Sequence, residues 1–360
     1  TISSAVLSDG GLKMNVYLTA TSDLASTVVK NERFPCNEVL VYAGLTSSTY
    51  CVFASSSEIV ATMLSTSTVV PTNAVNLKEN VFYHSQYLGD GCTGSSTDYC
   101  SSYTKNTGTT SVPLSASQNS IVPTPIISAP GSIGVCDDLT LSISASYGSA
   151  GRAWSSIIWN VVEVTFGNDT TALTTQLTDQ TSALSSLKSL PSFTLTGLWN
   201  AEFTVSVTLT NWLGESESYD HTFEKTAAGG MPNLQVIGST AVTLIRSSAL
   251  SLFVKGEPSD CITDPTQKQL TYKWIVYKNF NKVSVTNKAK DLRYFKLDAY
   301  SLVAGVEYQF YIECASPTGD TATSVIYVTV DNDVVEAKIE SPTELPVDKI
   351  LVLDGTPSRD

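Results

Sequence analysis

Leu270-Thr-Tyr-Lys-Trp-Ile-Val-Tyr277 decides the reading of this chain. It is an apolar, aromatic-rich run of strand length, and a tryptophan sits at its centre. Upstream lies Cys261, just past the apolar run Leu250, Leu252, Val254. Downstream lies Cys314, which closes an alternating stretch, Tyr308-Gln-Phe-Tyr-Ile-Glu-Cys314.

A cysteine, a strand tryptophan and a second cysteine about fifty residues on is the spacing by which an immunoglobulin-like sandwich joins its two sheets. The expectation is therefore an all-β chain of tandem immunoglobulin-like β-sandwich domains, with Cys261 bonded to Cys314, Trp274 in the core and Tyr308 as a tyrosine-corner residue. By loop entropy such a cross-link is worth about 4 kcal/mol. It implies an extracellular, secreted or cell-surface place and argues against a cytosolic enzyme.

The rest of the chain agrees. Short strand-like runs separated by Gly, Pro, Asn, Asp and Ser recur through all 360 residues, and no long 3.6-residue period stands out. Only 15% of residues are charged, while Ser and Thr abound. A net charge of −13, with Lys and Arg spread along the chain, is the wrong footprint for nucleic acid. No apolar run reaches the roughly 18 residues of a membrane span. The chain opens on Thr1, which fits a removed secretory signal or a trimmed chain.

Seven cysteines leave one over. Cys36 and Cys51 flank a turn-like Gly44–Thr49 stretch, and Cys92 and Cys100 close a Gly/Ser/Thr loop. With Cys261 and Cys314 these make three pairs and leave Cys136. Spacing alone does not set connectivity, and a partner for Cys136 in the first region is an open alternative.

An internal repeat sets the domain map. Phe203-Thr-Val-Ser-Val-Thr-Leu-Thr-Asn-Trp-Leu-Gly214 superimposes on Tyr308–Gly319 at an offset of 105 residues, about the length of one seven-stranded sandwich. Ile157-Ile-Trp-Asn-Val161 answers Tyr272-Lys-Trp-Ile-Val276. The expected domains are a distinct β unit at 1–121, with a Ser/Thr-rich loop or linker at 93–120, and sandwiches at 122–229 and 230–336. Residues 337–360 read as the start of a further repeat or an inter-subunit strand segment.

Ile133-Gly-Val-Cys-Asp-Asp-Leu-Thr-Leu141, followed by Tyr147-Gly-Ser-Ala-Gly-Arg-Ala-Trp154 and Trp159, resembles the receptor-for-egg-jelly (REJ) region of polycystin-like ectodomains and of surface proteins of protists and algae. Leu353-Asp-Gly-Thr-Pro-Ser-Arg-Asp360 looks like the opening of a polycystic-kidney-disease-type repeat, and residues 1–90 look like the unit that precedes REJ repeats. The resemblance implies tandem immunoglobulin-like sandwiches, an extracellular place and no catalysis.

Candidate chemistry is sparse. His84 and His221 have no second ligand at metal spacing, and neither a nucleophile elbow nor a phosphate loop is present. No cofactor or metal is expected. Asp137-Asp138 and Asp331-Asn-Asp333 supply too few oxygens for calcium and read as capping or turn residues. Trp159 and Trp274 read as core, whereas Trp154, Trp199 and Trp212 stand by turns and read as partly exposed. Asn168-Asp-Thr170 is an N-glycosylation sequon, and the Ser/Thr-rich 93–120 stretch suits O-linked sugars.

Two functions remain once a hydrolase is set aside for want of a catalytic constellation. One is a structural subunit of a glycosylated filament, a homo-oligomer joined head to tail. The other is a binding ectodomain, an adhesin or receptor. Ile339, Ile350, Val352 and Leu353 are too apolar for a free tail, and the expectation is that they pack on a neighbouring domain or another subunit. The N-terminal segment Ile2–Leu18 is expected to join a similar contact.

Overall fold

A computed structural model describes residues 1–22, 30–46, 49–64, 67–84, 92, 103, 105–106, 111–164, 170–182, 192–195 and 201–331. The described chain is β-rich and packs three separate apolar cores.

The N-terminal unit has eight strands: β1 (Ile2–Leu7), β2 (Lys13–Leu18), β3 (Phe34–Pro35), β4 (Leu40–Tyr42), β5 (Tyr50–Ser55), β6 (Glu58–Thr62), β7 (Ala74–Leu77) and β8 (Ser111–Ser115). They hydrogen-bond in the order β3-β5-β6-β2-β1-β8-β7-β4. The two ends of that order, β3 and β4, are joined by a single 3₁₀ turn at Cys36–Glu38. A flat eight-stranded sheet would be roughly 34 Å wide, and the link from Pro35 to Leu40 reaches at most roughly 17 Å. The sheet must curl, and its concave face holds Met14, Val16, Phe53, Ile59 and Leu114, all fully buried.

Two expectations are corrected here. The Ser/Thr-rich 93–120 stretch is not all linker, because β8 lies within it and pairs parallel to β1, with Leu114 opposite Ala5. Its single buried leucine in Ser-Val-Pro-Leu-Ser carries too little alternation to show in composition. Of the two contacts expected for Ile2–Leu18, strand pairing finds no free edge, since β1 lies between β2 and β8 and β2 between β1 and β6, whereas packing on a neighbouring domain is present at Gly11, which lies against Trp212 and Leu213.

The middle sandwich contains β9 (Ser132–Ile133), β10 (Leu139–Ser142), β11 (Ser156–Val164), helix α1 (Thr170–Ser182), β12 (Ser192–Leu195), β13 (Glu202–Thr210) and β14 (Ser216–Lys225). One sheet runs β11-β13-β14-β9 and the other β10-β12. Trp159 on β11 is buried among Phe203, Val205 and Leu209, as a core strand tryptophan should be. The helix sinks Leu177 into this core.

The distal sandwich contains β15 (Asn233–Val236), β16 (Ala241–Ile245), β17 (Leu250–Glu257), β18 (Thr271–Lys278), β19 (Asn281–Val283), β20 (Tyr294–Leu297), β21 (Val306–Ala315) and β22 (Thr321–Asp331). Its sheets run β15-β17-β20 and β16-β22-β21-β18-β19. The first strand is split: β15 pairs with β17, then the chain crosses over and β16 pairs parallel to β22. With the central antiparallel set β22-β21-β18, this is immunoglobulin-like topology. The middle sandwich repeats it, β9 being parallel to β14 as β16 is to β22. The chain is therefore all-β, with immunoglobulin-like sandwiches in tandem.

Tyr308 closes its corner as expected, its buried hydroxyl accepting a hydrogen bond from the Val303 N–H at 3.1 Å. Trp274 departs from expectation: it is half-buried, tilted on Phe295 at 5.4 Å, and its Nε1 donates to the Leu292 carbonyl at 2.8 Å. It roofs the core edge.

Candidate functional site

The side chains that stand out are those that lock one domain to the next. Cys261 carries the first surprise: its partner is Cys136, with Cα atoms 5.5 Å apart, and Cys314 is a free, buried thiol. The expected Cys261–Cys314 bridge is overturned. The apolar run that suggested it does face the core from β17, but β17 ends at Glu257 and Cys261 lies beyond it, in the loop toward β18. That loop projects at the end of the sandwich, where Cys261 meets the middle domain. Left inside, Cys314 shares a hydrogen bond with the Tyr272 hydroxyl, and burial pushes its thiol up to about 11.

Around the Cys136–Cys261 bridge the contact is dense and polar. Asp137, itself buried, accepts from the Ser259 hydroxyl and from the Asp260 N–H, both at 2.9 Å. Lys225, buried at the end of β14, donates to the Asp137 carbonyl at 2.8 Å. Asp137 is thus a turn residue that grips the next domain, a more specific role than the expected capping. On the other side of the junction Gln235 donates to the Ser128 carbonyl at 2.6 Å, and the Ser128 hydroxyl exchanges bonds with Gly238.

Among the described residues no disulfide joins the N-terminal unit to the middle sandwich. The turn between β13 and β14 drives Trp212 and Leu213 into the core of the N-terminal unit. Gly11, at φ +66, is needed there, because a Cβ on it would occupy the Trp212 ring. Arg152 stacks its guanidinium 3.5 Å above the Trp212 ring and donates to the Val69 carbonyl at 2.6 Å. Burial holds that guanidinium below its ordinary value. Trp212 Nε1 donates to the Ala150 carbonyl at 3.0 Å, and Asn211 donates to the carbonyls of Ile121 and Gly148. Trp212 and Trp154, expected to be partly exposed, are both buried. Trp212 is covered by the neighbouring N-terminal unit, whereas Trp154 packs in the core of its own sandwich.

Of the other sequence-derived sites, Cys36 is bonded to Cys51 within the N-terminal core. Cys92 is disulfide-bonded, and Cys100 lies outside the described residues. Asn168, Trp199, Ile339, Ile350, Val352 and Leu353 also lie outside them. His221 sits 3.5 Å from the Pro130 carbonyl, and burial lowers its pKa. Among the described residues no group of three or more His, Cys, Asp and Glu is arranged to hold a metal ion. Among them, too, no helix is long and apolar enough to cross a membrane.

No family model and no curated protein matches the chain. Among solved structures it is similar to the tandem Ig repeats of Dlar, at 13% identity over 59% of this chain and 98% of that one, with a TM-score of 0.22. It is also similar to Sidekick-1 immunoglobulin domains 1–5, at 10% identity over 92% and 59%, with a TM-score of 0.23. A third is Drosophila OTK extracellular domains 3–5, at 10% identity over 92% and 97%, with a TM-score of 0.22. Overlaps this shallow carry no argument, and the fold assignment rests on the strand order and register above.

Proposed function

We propose that this chain is an extracellular structural subunit, a segment of a glycosylated surface filament or appendage built from β-sandwich contacts and extended head to tail. The observation that carries the reading is that both domain junctions are locked by buried side chains and one of them also by a disulfide. Domains that carry no load across their contacts need only flexible linkers, and relative motion is the default for them. Here Trp212 is built into its neighbour's core and Cys136 is bonded across to Cys261, so bending one domain against the next breaks buried contacts. Two disulfides whose pairs are both described fit an oxidising, extracellular place. This reading assigns no catalysis.

A second reading is a binding ectodomain of REJ or polycystin type, in which Phe280, an aromatic 83% exposed at a hairpin tip, would meet a foreign partner and not a second copy. Electron microscopy of the native material, with mass spectrometry of its glycans, separates the two. Fibres with a regular repeat along the axis support the structural role. Dispersed single particles at high concentration overturn it and favour the ectodomain.

A further inference from the structure

The distal sandwich has an edge unlike any other part of the molecule. Residues 273–298, which run through β18, β19 and β20 along one side of the sandwich, hold seven Lys and Arg against two Asp. Both aspartates are engaged locally, Asp298 with Lys288 and Asp291 with Arg293. Among the described residues no ion pair reaches Lys278, Lys282 or Lys290.

Phe280 protrudes from the tip of the β18–β19 hairpin within this stretch. The β18–β19 hairpin is closed by a two-residue turn, Asn279 at φ 47 and Phe280 at φ 63, between Lys278 and Asn281. Such turns favour Asn-Gly, because both positions are left-handed. A phenyl side chain there is strained and, at 83% exposure, unpacked. It gains the fold nothing. An exposed aromatic flanked in its hairpin by Lys278 and Lys282 has the form of an interface anchor.

The same chain carries the complementary surface. The β13–β14 hairpin of the middle sandwich, residues 202–225, holds five carboxylates and one cation. That cation, Lys225, is turned inward onto Asp137, while Glu217, Asp220 and Glu224 are exposed. The domain around it, residues 122–229, holds three basic residues against ten acidic ones. Within one chain the two surfaces lie apart: the β13–β14 hairpin meets the distal sandwich through Tyr219 and Thr240, beside β16, the opposite edge of the sheet from β19. We infer that the lysine-rich β18–β20 edge, with Phe280 as its anchor, docks on the acidic β13–β14 hairpin of a second copy of this chain. Resting on the filament reading, this names the surface by which successive copies would hold together.

The test is sedimentation of the whole chain at about 0.02 M and about 0.5 M salt, since exposed charge pairs are screened within a few ångströms at the higher value. The expected result is self-association at low salt that weakens by about tenfold or more at high salt. Lys278→Glu with Lys282→Glu should abolish it, as should Glu217→Lys with Asp220→Lys, and mixing the two reversed proteins should restore association. Phe280→Gly creates an Asn-Gly turn, so it should raise the melting temperature while weakening association about tenfold. A residue with only a structural role would not move the two in opposite directions.

A wild-type chain that stays monomeric at low salt overturns the inference, as does association indifferent to either charge reversal. Binding of the lysine edge to a sulfated polysaccharide without self-association also overturns it, and assigns the edge to an acidic glycan. Fibres that persist in the reversed variants leave the filament reading standing without this contact. A closed, salt-sensitive pair of copies supports the contact and removes the filament.

Discussion

Where the N-terminal unit meets the middle sandwich, an indole and a guanidinium fill a pocket in the neighbour's core, and the contact is held by packing and hydrogen bonds. Where the middle sandwich meets the distal one, the contact is polar, with a carboxylate gripping Ser259 and Asp260 beside a covalent bridge. The first contact removes apolar surface from water and stabilises both partners together. The second is made of hydrogen bonds and a covalent bridge, and its strength depends on a bond that forms only in an oxidising place. Separate solutions thus give the same outcome, a fixed angle between consecutive domains. The difference predicts different failures: the first junction should give way to a cavity, the second to a reductant.

The largest effect should come from Trp212→Ala. Deleting a buried indole that fills the N-terminal core should cost about 3–5 kcal/mol and separate the unfolding of the N-terminal unit from that of the middle sandwich. Calorimetry reads this as a split transition. One cooperative peak would show that the two domains are coupled by something other than Trp212.

Replacing both Cys136 and Cys261 by Ser should cost about 2–4 kcal/mol. It should leave the N-terminal transition where it was and lower that of the distal sandwich. Small-angle scattering should show a broader distribution of lengths. An unchanged envelope would mean that Asp137 and Gln235 suffice to hold the junction.

Asp137→Ala isolates that polar part. It leaves the Ser259 hydroxyl and the Asp260 N–H without their acceptor, a loss of about 1–3 kcal/mol. The effect should grow when the disulfide is also absent, because the two devices restrain the same motion. Strict additivity in a double-mutant cycle would refute that sharing.

The smallest effect concerns Cys314. Its thiol is pushed up to about 11 by burial, above the ordinary value of 9.0 that the unfolded chain would show. The unfolded state therefore loses this proton first as pH rises. The contribution to stability is complete below about pH 9 and is lost as pH rises through about 11. Native protein should resist thiol alkylation at neutral pH and unfold more easily above pH 9. Cys314→Ala should flatten that alkaline limb, and an unaltered limb would point to other groups, Tyr272 foremost, since burial pushes its hydroxyl to about 12.

Local pattern alone determined the strand-rich class, the 105-residue repeat and the tyrosine corner. Alternation in β21 and the apolar Trp159 strand are properties of short segments, and in β21 the burial of one face follows from the period. What escaped depended on which domain stands beside which. Cys261 follows an apolar strand whether its partner lies inside its own sandwich or across a junction, and only the end-to-end placement of the domains brings Cys136 within reach. The unmatched Cys136 next to Asp137 was the one hint in the sequence. Trp212 looked exposed because a turn is exposed until a neighbour covers it. The lysine edge was hidden in a net charge of −13, since a whole-chain sum cancels what a window over residues 273–298 would have shown. Strand period is decided within a few residues, whereas disulfide choice, tryptophan burial and charge complementarity are decided by contacts between distant parts of the chain. Only the tertiary structure supplied those.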